Sequence, residues 1–365
     1  WSRLNNNLPR APVDDLEVHP RDNDLVAGTH GRGIWILDNV SALSGLSEEA
    51  SREPAVLFPV VPATLFQYNV DVPSQGQGIL RASNPPFGAV LDYWLGEEVE
   101  RGVRIRIEDP VDGSVLRVLE GSGTAGFNRV IWDLRHQPVP HDTTVFDPPA
   151  LDVGPRGPLV MPGTYRARLT GLQQGGDDTE VEVRWDPMMP LPDSEIRARY
   201  DFTMALYALQ QVGYHAQVQA GQIADAAQEA VDSLKALPDS KADTLGEADT
   251  TQVALADSLL GEIRVAASEV RRRNRDLRGW WRGLIGEFDG GPSTIGSLTG
   301  PNDSQRERLS WTEEAFADGV ADLDEVVGQV IPALNGILAG KGISAVEIPE
   351  RGSGLSPRSP RASRR

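Results

Sequence analysis

Four residues near the start of the chain have side chains that could hold a ligand together. His30, Arg32, Trp35 and Asp38 lie within nine positions and supply an imidazole, a guanidinium, an indole and a carboxylate. A few convergent polar and aromatic groups of this kind are typical of binding sites. The structural alternative is a tight turn, because the glycines on both sides of Arg32 tolerate positive φ and His30 and Arg32 can cap carbonyls. We predict these four residues as a candidate ligand-binding site without a catalytic role.

Three further motifs contain residue types that metal and nucleotide sites use. His136, His141 and Asp142 could ligate a metal, but their proline-rich segment supplies no further ligand and favours a surface loop. Residues 121–126 match Gly-x-Gly-x-x-Gly, yet a strand pattern follows them where a dinucleotide site needs a helix, so we predict a hairpin loop. Residues 22–24 read Asp-Asn-Asp but lack the glycine and the distal glutamate of a calcium loop. No metal and no cofactor is therefore expected.

Composition excludes several classes of function. The chain has no cysteine, which rules out disulfides, thiolate catalysis and cysteine-ligated zinc. Its formal charge is −18, while residues 351–365 hold five arginines and no acid, so the rest is more acidic still. Such a surface repels nucleic acid and anionic membranes, and no apolar run is long enough to span a membrane. Trp1 stands where a start methionine would, and we expect the chain to be part of a longer protein.

The elements that must position the four candidate residues are short strands. Residues 13–19, 25–29 and 34–38 are apolar or alternating segments, separated by turns rich in glycine, aspartate and asparagine. This pattern predicts an antiparallel meander. Three strands alone bury little apolar surface, so the meander needs neighbours.

Residues 18–38 resemble the last blade of the sortilin/Vps10-like, BNR-type β-propeller proteins of bacteria, many of which are labelled glycosyl hydrolases. Asn84-Pro-Pro-Phe-Gly-Ala, residues 128–135 and Pro162-Gly-Thr-Tyr resemble the C-terminal region of the same proteins. The resemblance implies that residues 1–45 are a terminal blade fragment, that the remaining blades lie outside this chain, and that His30, Arg32 and Trp35 lie on the rim of the propeller mouth. The family's Asp-box repeat, Ser-x-Asp-x-Gly-x-Thr-Trp, does not occur here.

The middle of the chain predicts an immunoglobulin- or fibronectin-like β-sandwich over residues 80–187, preceded by a linker over residues 46–79. Six or seven short strands with tight turns support the sandwich, among them the alternating residues 103–107 and the stretch 126–135. Prolines 59 and 62 restrict residues 55–62 to an edge or a linker. Residues 162–169 resemble the penultimate strand of FlgD-type Ig-like domains, which implies a fold and not an activity.

The last part of the chain predicts three long amphipathic helices over residues 192–342, arranged as an antiparallel coiled-coil bundle. Ser194 is the expected cap of the first helix. Residues 343–365 are expected to form a disordered basic tail. The arginines of residues 271–278 predict a solvated face paired with acids, and Trp280 and Trp281 predict a core or interdomain anchor. The apolar seams are expected in these positions: Phe202, Leu206, Leu209, Gly213, Ala216, Ala220, Ile223, Ala227, Ala230, Leu234 and Leu237; Leu255, Leu259, Ile263, Ala266, Val270, Leu277, Trp281, Leu284 and Phe288; Phe316, Val320, Leu323, Val327, Val330, Leu334 and Ile337.

Taken together, the patterns and the resemblance predict a non-catalytic accessory or binding region of an extracytoplasmic β-propeller protein. Its expected partners are the missing blades and a protein or glycan ligand, and its expected location is secreted, periplasmic or cell-surface. The alternative is part of a glycoside hydrolase, which needs paired carboxylates. Asp22, Asp24 and Asp38 are the candidates in this chain, with most of the active site in the missing blades. Self-association through the helical seams is a third possibility.

Overall fold

The structure, a computed structural model, describes residues 7–66, 87–140, 157–172, 176–237, 247–289, 296–297 and 299–350. The chain divides into two compact units, Trp1–Gln137 with Leu159–Pro190, and Pro138–Pro158 with Leu191–Arg365. The first holds β-sheets and the second holds long helices, which agrees with the predicted β-plus-α multidomain chain. The strands are β1 Val13–Val18, β2 Leu25–Thr29, β3 Gly33–Leu37, β4 Ala55–Leu57, β5 Ala63–Leu65, β6 Ala89–Leu95, β7 Val103–Glu108, β8 Val115–Gly121, β9 Gly126–Trp132, β10 Gly163–Thr170 and β11 Asp178–Trp185; the α-helices are α1 Ser41–Gly45, α2 Asp193–Lys235, α3 Glu247–Asp289, α4 Asp303–Glu325 and α5 Ile331–Gly340.

The first unit contains three sheets. Strands β1, β2 and β3 form an antiparallel sheet in sequence order, as predicted. A five-stranded sheet has the order β5-β11-β10-β7-β8, and a three-stranded sheet has the order β4-β6-β9. The five-stranded sheet and the β4-β6-β9 sheet share one apolar core, in which Trp132, Tyr93 and Leu65 are almost fully buried. In β7 the buried residues Val103, Ile105 and Ile107 alternate with exposed arginines, because side chains of a strand point to opposite faces.

The expected linker over residues 46–79 is wrong in part, because it contains two strands of these sheets. β4 pairs antiparallel with β6, and β5 pairs in parallel with β11. Leu57 and Leu65 are buried in the shared core. Both strands are at sheet edges, and each pairs with one neighbouring strand. Prolines are tolerated beside such edge strands because they interrupt hydrogen bonding to no second neighbour.

The loop over residues 121–126 is also different from the prediction. It connects β8 to β9, which belong to different sheets, and so it is an inter-sheet connection and not a hairpin. A Cβ atom on Gly123 would be 1.9 Å from the carbonyl oxygen of Val99. The glycine is needed for this close approach and not for a nucleotide.

The second unit packs α2 against α3, with α4 and α5 contributing to the same apolar clusters. Most of the first predicted seam is buried, from Phe202 to Leu234. At the start of α3 the buried face lies one residue later than the predicted seam. Leu255 is 51% exposed, whereas Ala256 and Leu260 are buried. Leu277 and Trp281 have side chains outside the described residues.

Two helix boundaries differ from the prediction. α2 begins at Asp193 with Pro192 as its N-cap residue and no side-chain cap, so Ser194 lies inside the helix. The tail was expected to begin at residue 343, but the structure describes the chain after α5 as far as residue 350. Val346 is buried, and its N–H donates to the Oδ1 atom of Asn335 at 2.7 Å. Residues 351–365 lie outside the described part of the chain.

Gly213 is the position in α2 where a side chain has least room. A Cβ atom there would lie 2.7 Å from the ring of Phe316 and 2.8 Å from Oδ1 of Asn274. Gly213→Ala is therefore expected to lower the free energy of unfolding by about 1–3 kcal/mol. The matched variant is Gly221→Ala in the same helix, where nothing lies within 4 Å, and it is expected to raise stability by up to about 1 kcal/mol. Urea denaturation of both variants measures these changes in the free energy of unfolding. Equal changes for the two variants would contradict the close packing of Gly213 against Phe316 and Asn274.

Candidate functional site

The turn between β2 and β3 brings three of the four candidate residues to one end of the sheet. The indole Nε1 of Trp35 donates to the carbonyl oxygen of Arg32 at 3.0 Å. His30 Nδ1 lies 3.3 Å from Oδ2 of Asp14, and both side chains are exposed. Gly31 and the first residue of β3 have φ of 69° and 81°, which a tight turn of this kind requires. These contacts stabilise the turn and leave the imidazole and guanidinium at the surface.

Asp38 lies at the opposite end of the same sheet. It follows the last residue of β3, so about 17 Å of extended strand separate it from the turn. Its carbonyl oxygen accepts a hydrogen bond from Nη1 of Arg129 at 2.8 Å. The structure therefore does not join Asp38 to His30, Arg32 and Trp35 in one site.

Arg129 forms a junction that the sequence did not reveal. Its guanidinium donates to both carboxylate oxygens of Asp92, at 2.7 Å from Nε and 3.0 Å from Nη2. It also donates to the carbonyl oxygens of Asp38 and Asn39, at 2.8 and 2.7 Å. The Asp92 side chain is only 10% exposed. One guanidinium thus ties the end of the β1–β3 sheet to the outer face of β6 and β9.

The remaining hydrolase candidates have structural partners. Asp24 Oδ1 accepts from the backbone N–H of Asn39 at 2.9 Å, and this bond helps to fix the chain after β3. Asp22 is bonded to the guanidinium of Arg21, and that hydrogen bond lowers the pKa of Asp22. A glycosidase acid needs the opposite shift. Asp22 is therefore not suited to the role of the general acid.

Within the described part of the chain, the β1–β3 sheet carries exposed apolar side chains on both faces. By register, Leu16, Val18 and Trp35 share one face, whereas Ile34 and Ile36 share the other. The exposed fractions are 59% for Leu16, 51% for Val18, 74% for Ile34 and 59% for Ile36. An antiparallel sheet normally packs one face on a core and solvates the other. Contiguous exposed apolar surface is more common at interaction sites than elsewhere on a monomer.

His136 is buried and does not belong to a metal site in the described part of the chain. His141 and Asp142, its expected companions, lie outside the described residues. No group of three or more His, Asp or Glu side chains that could hold a metal is present among the described residues. Burial lowers the pKa of His136 to about 4 from its ordinary value of 6.5. The imidazole is therefore neutral in the folded protein at neutral pH.

The lowered pKa of His136 predicts that the folded protein loses stability as the pH falls from 6.5 to 4. Over that range the unfolded chain takes up a proton that folded His136 does not bind, so stability is full above pH 6.5 and falls as the pH drops. The expected contribution is about 3 kcal/mol lost by pH 4. His136→Gln should reduce the slope of unfolding free energy against pH. Identical slopes for wild type and His136→Gln would contradict this assignment.

Within residues 271–278, Arg272, Arg273 and Arg275 lie close to acids, which agrees with the predicted charged face. Arg272 and Arg273 both donate to Glu269, which lowers the pKa of that carboxyl to about 2. Arg272 also reaches Asp276, and Arg273 lies 3.7 Å from Asp322. The side chains of Trp280 and Trp281 lie outside the described residues, so their expected role as an anchor stays a prediction.

None of the helices in the described part of the chain has an apolar segment long enough to cross a membrane. Comparisons of the chain with models of protein families, with curated proteins and with solved structures found no match.

Proposed function

We propose that this chain is the non-catalytic accessory and binding region of an extracytoplasmic β-propeller protein. In this proposal β1–β3 belong to a terminal blade, the five-stranded sheet and the β4-β6-β9 sheet form an immunoglobulin-like sandwich, and the helices form a coiled-coil bundle. The protein recognises a protein or glycan ligand outside the cytoplasm. The observation that carries the proposal is the β1–β3 sheet with its exposed apolar side chains on both faces.

A propeller is the architecture that such a sheet suits. Its blades are small antiparallel sheets arranged around a centre, so each blade is covered by a neighbour on both faces. Ile34 and Ile36 would pack on one neighbour, and Leu16 and Val18 on the other. A sandwich edge or a solvated hairpin needs apolar residues on one face only.

The Arg129 junction supports a mechanical role for the chain. A guanidinium with four hydrogen bonds holds the end of β3 to the β4-β6-β9 sheet. Such a hydrogen-bonded junction is suited to holding a blade in one position relative to the β4-β6-β9 sheet. The carboxylates of the blade, by contrast, make structural contacts and do not carry a hydrolytic function in this proposal.

The test uses this chain and, as a second polypeptide, the product of any coding sequence that precedes residue 1 in its gene. The two parts are produced together and separately, and co-purification and release of nitrophenol from aryl glycosides are measured. The proposal expects a stable one-to-one complex and no hydrolysis by this chain alone. Hydrolysis by the chain alone, or an upstream polypeptide that neither forms blades nor binds it, would contradict the proposal.

A further inference from the structure

The chain after α5 turns back and packs against α5 and α2. The turn is at Gly342, whose φ is 68°, and the N–H of Ile343 donates to the carbonyl oxygen of Leu338 at 3.0 Å. This hydrogen bond belongs to the Schellman arrangement that ends many helices. Residues 343–350, which we name the return segment, then form neither a helix nor a strand.

Side-chain amides of the two helices bond to the backbone of the return segment. Asn335 on α5 accepts from the N–H of Val346 at 2.7 Å, and its Nδ2 donates to the carbonyl oxygen of the same valine at 3.2 Å. Gln219 on α2 donates from Nε2 to the carbonyl oxygen of Pro349 at 2.9 Å. One asparagine thus makes both hydrogen bonds that a neighbouring strand would make to one residue. Such contacts recognise an extended backbone, whatever side chains it carries.

Only one side chain of the return segment is buried. Val346 is 5% exposed and lies in the same apolar cluster as Leu334 and Leu338 of α5 and Ile223 of α2. Ile343 packs on the edge of this cluster, and positions 344, 345, 347, 348 and 350 are exposed. A segment held by one valine and a few hydrogen bonds opens locally at a lower free energy than the helices beside it.

The charge of the return segment is unfavourable for the chain that holds it. The segment carries Glu347 and Glu350 and no cation, and the whole chain has a net charge of −18. Neither glutamate forms an ion pair within the part of the chain that the structure describes. A foreign segment with lysine or arginine at these two positions would keep the backbone hydrogen bonds and the valine contact. It would be attracted by the negative chain, whereas the glutamates are repelled.

We propose that the surface of α2 and α5 under the return segment is a docking site for an extended basic segment of a partner protein. The partner places a β-branched apolar residue where Val346 lies, and its main chain bonds to Asn335 and Gln219. Without the partner, the return segment covers the site. The inference goes beyond the proposed function, because the site lies wholly within the second unit and needs no blade.

The experiment uses a fluorescently labelled peptide of residues 342–350 that carries Glu347→Lys and Glu350→Lys. Its anisotropy is measured during titration with the full wild-type chain and with the full chain carrying Val346→Asp. That substitution puts a carboxylate in the apolar cluster and releases the return segment. The peptide is expected to bind the Val346→Asp chain at least about tenfold more tightly than the wild-type chain, because the site is no longer covered.

Two variants of the Val346→Asp chain test the hydrogen bonds of the site. Asn335→Leu is expected to weaken peptide binding at least about tenfold, because both bonds to the peptide backbone are lost. The control is Gln222→Leu, at an exposed position of α2, which should stay within about twofold. The labelled peptide with Val346→Asp in its own sequence should not bind.

Several results would overturn this proposal. These are no binding of the peptide to either chain, equal affinity of the two chains, and unchanged binding by Asn335→Leu. A wild-type dimer in sedimentation that Val346→Asp dissociates would assign the site to a second copy of the chain and would also overturn it. Should Val346→Asp unfold, Val346→Ala removes only two methyl groups and is expected to raise peptide affinity at least about threefold over the wild-type chain. Failure here is distinct from failure of the blade proposal, which co-purification tests.

Discussion

Ile34→Lys combined with Ile36→Lys is expected to leave the chain folded and to weaken its complex with the neighbouring blades at least about 100-fold. Both isoleucines lie on one face of the β1–β3 sheet and are exposed in the chain alone. Substitution at such positions usually changes stability by less than about 0.5 kcal/mol. In a propeller each side chain would be buried, which is worth about 1.5–3 kcal/mol per residue, and two charges would have to be desolvated as well.

The matched control for this prediction is Val111→Lys. Val111 is also a large exposed apolar residue, but it lies in the turn between β7 and β8 and outside the proposed blade. It should change neither stability nor the dissociation constant. An unfolded Ile34→Lys/Ile36→Lys chain, or a complex of unchanged affinity, would contradict the proposed packing of this face.

Arg129→Met is expected to lower the free energy of unfolding of the first unit by about 3–5 kcal/mol. The substitution leaves the carboxylate of Asp92 buried without its cation, and it removes the donors to the carbonyls of Asp38 and Asn39. Loss of one partner of a buried ion pair has a cost of this size. Urea denaturation measures it, and hydrogen exchange of the β6 and β9 amides assigns the effect to the first unit.

Two further variants separate the ion pair from other effects of Arg129. Asp92→Leu combined with Arg129→Met removes both charges and is expected to recover most of the lost stability. Arg184→Met breaks an equally well-formed fork at an exposed position and should cost less than about 1 kcal/mol. A loss as large for Arg184→Met as for Arg129→Met would show that burial of Asp92 is not the cause.

Local alternation predicted those strands whose partners are close in sequence. Val103, Ile105 and Ile107 alternate strictly with polar residues, and β7 has the expected buried face. Prolines 59 and 62 restricted residues 55–62 to an edge or a linker, and the surrounding residues 46–79 were assigned to a linker although they contain β4 and β5. Their pairing partners are remote, since β5 joins β11 more than a hundred positions away. The residue pattern of one short segment cannot indicate which remote strand it pairs with.

The candidate site could be predicted only in part for the same reason. The turn that joins His30, Arg32 and Trp35 is local, and the sequence identified it. The separation of Asp38 from that turn follows from strand length and could have been derived from the 3.3 Å rise per residue. The Arg129 junction depends on contacts across about 37 and 91 positions. Its one sequence signal was Asp92, an acid within the apolar run of β6.

Hydrogen exchange of the β1–β3 amides tests whether this sheet is stabilised by packing against neighbouring blades. The amides are followed in the chain alone and in the proposed complex with any polypeptide encoded before residue 1, with β7 and β10 as internal references. We expect fast exchange of β1–β3 in the chain alone and protection approaching that of β7 and β10 in the complex. Protection of β1–β3 equal to that of β7 and β10 in the chain alone, or no gain on complex formation, would contradict it.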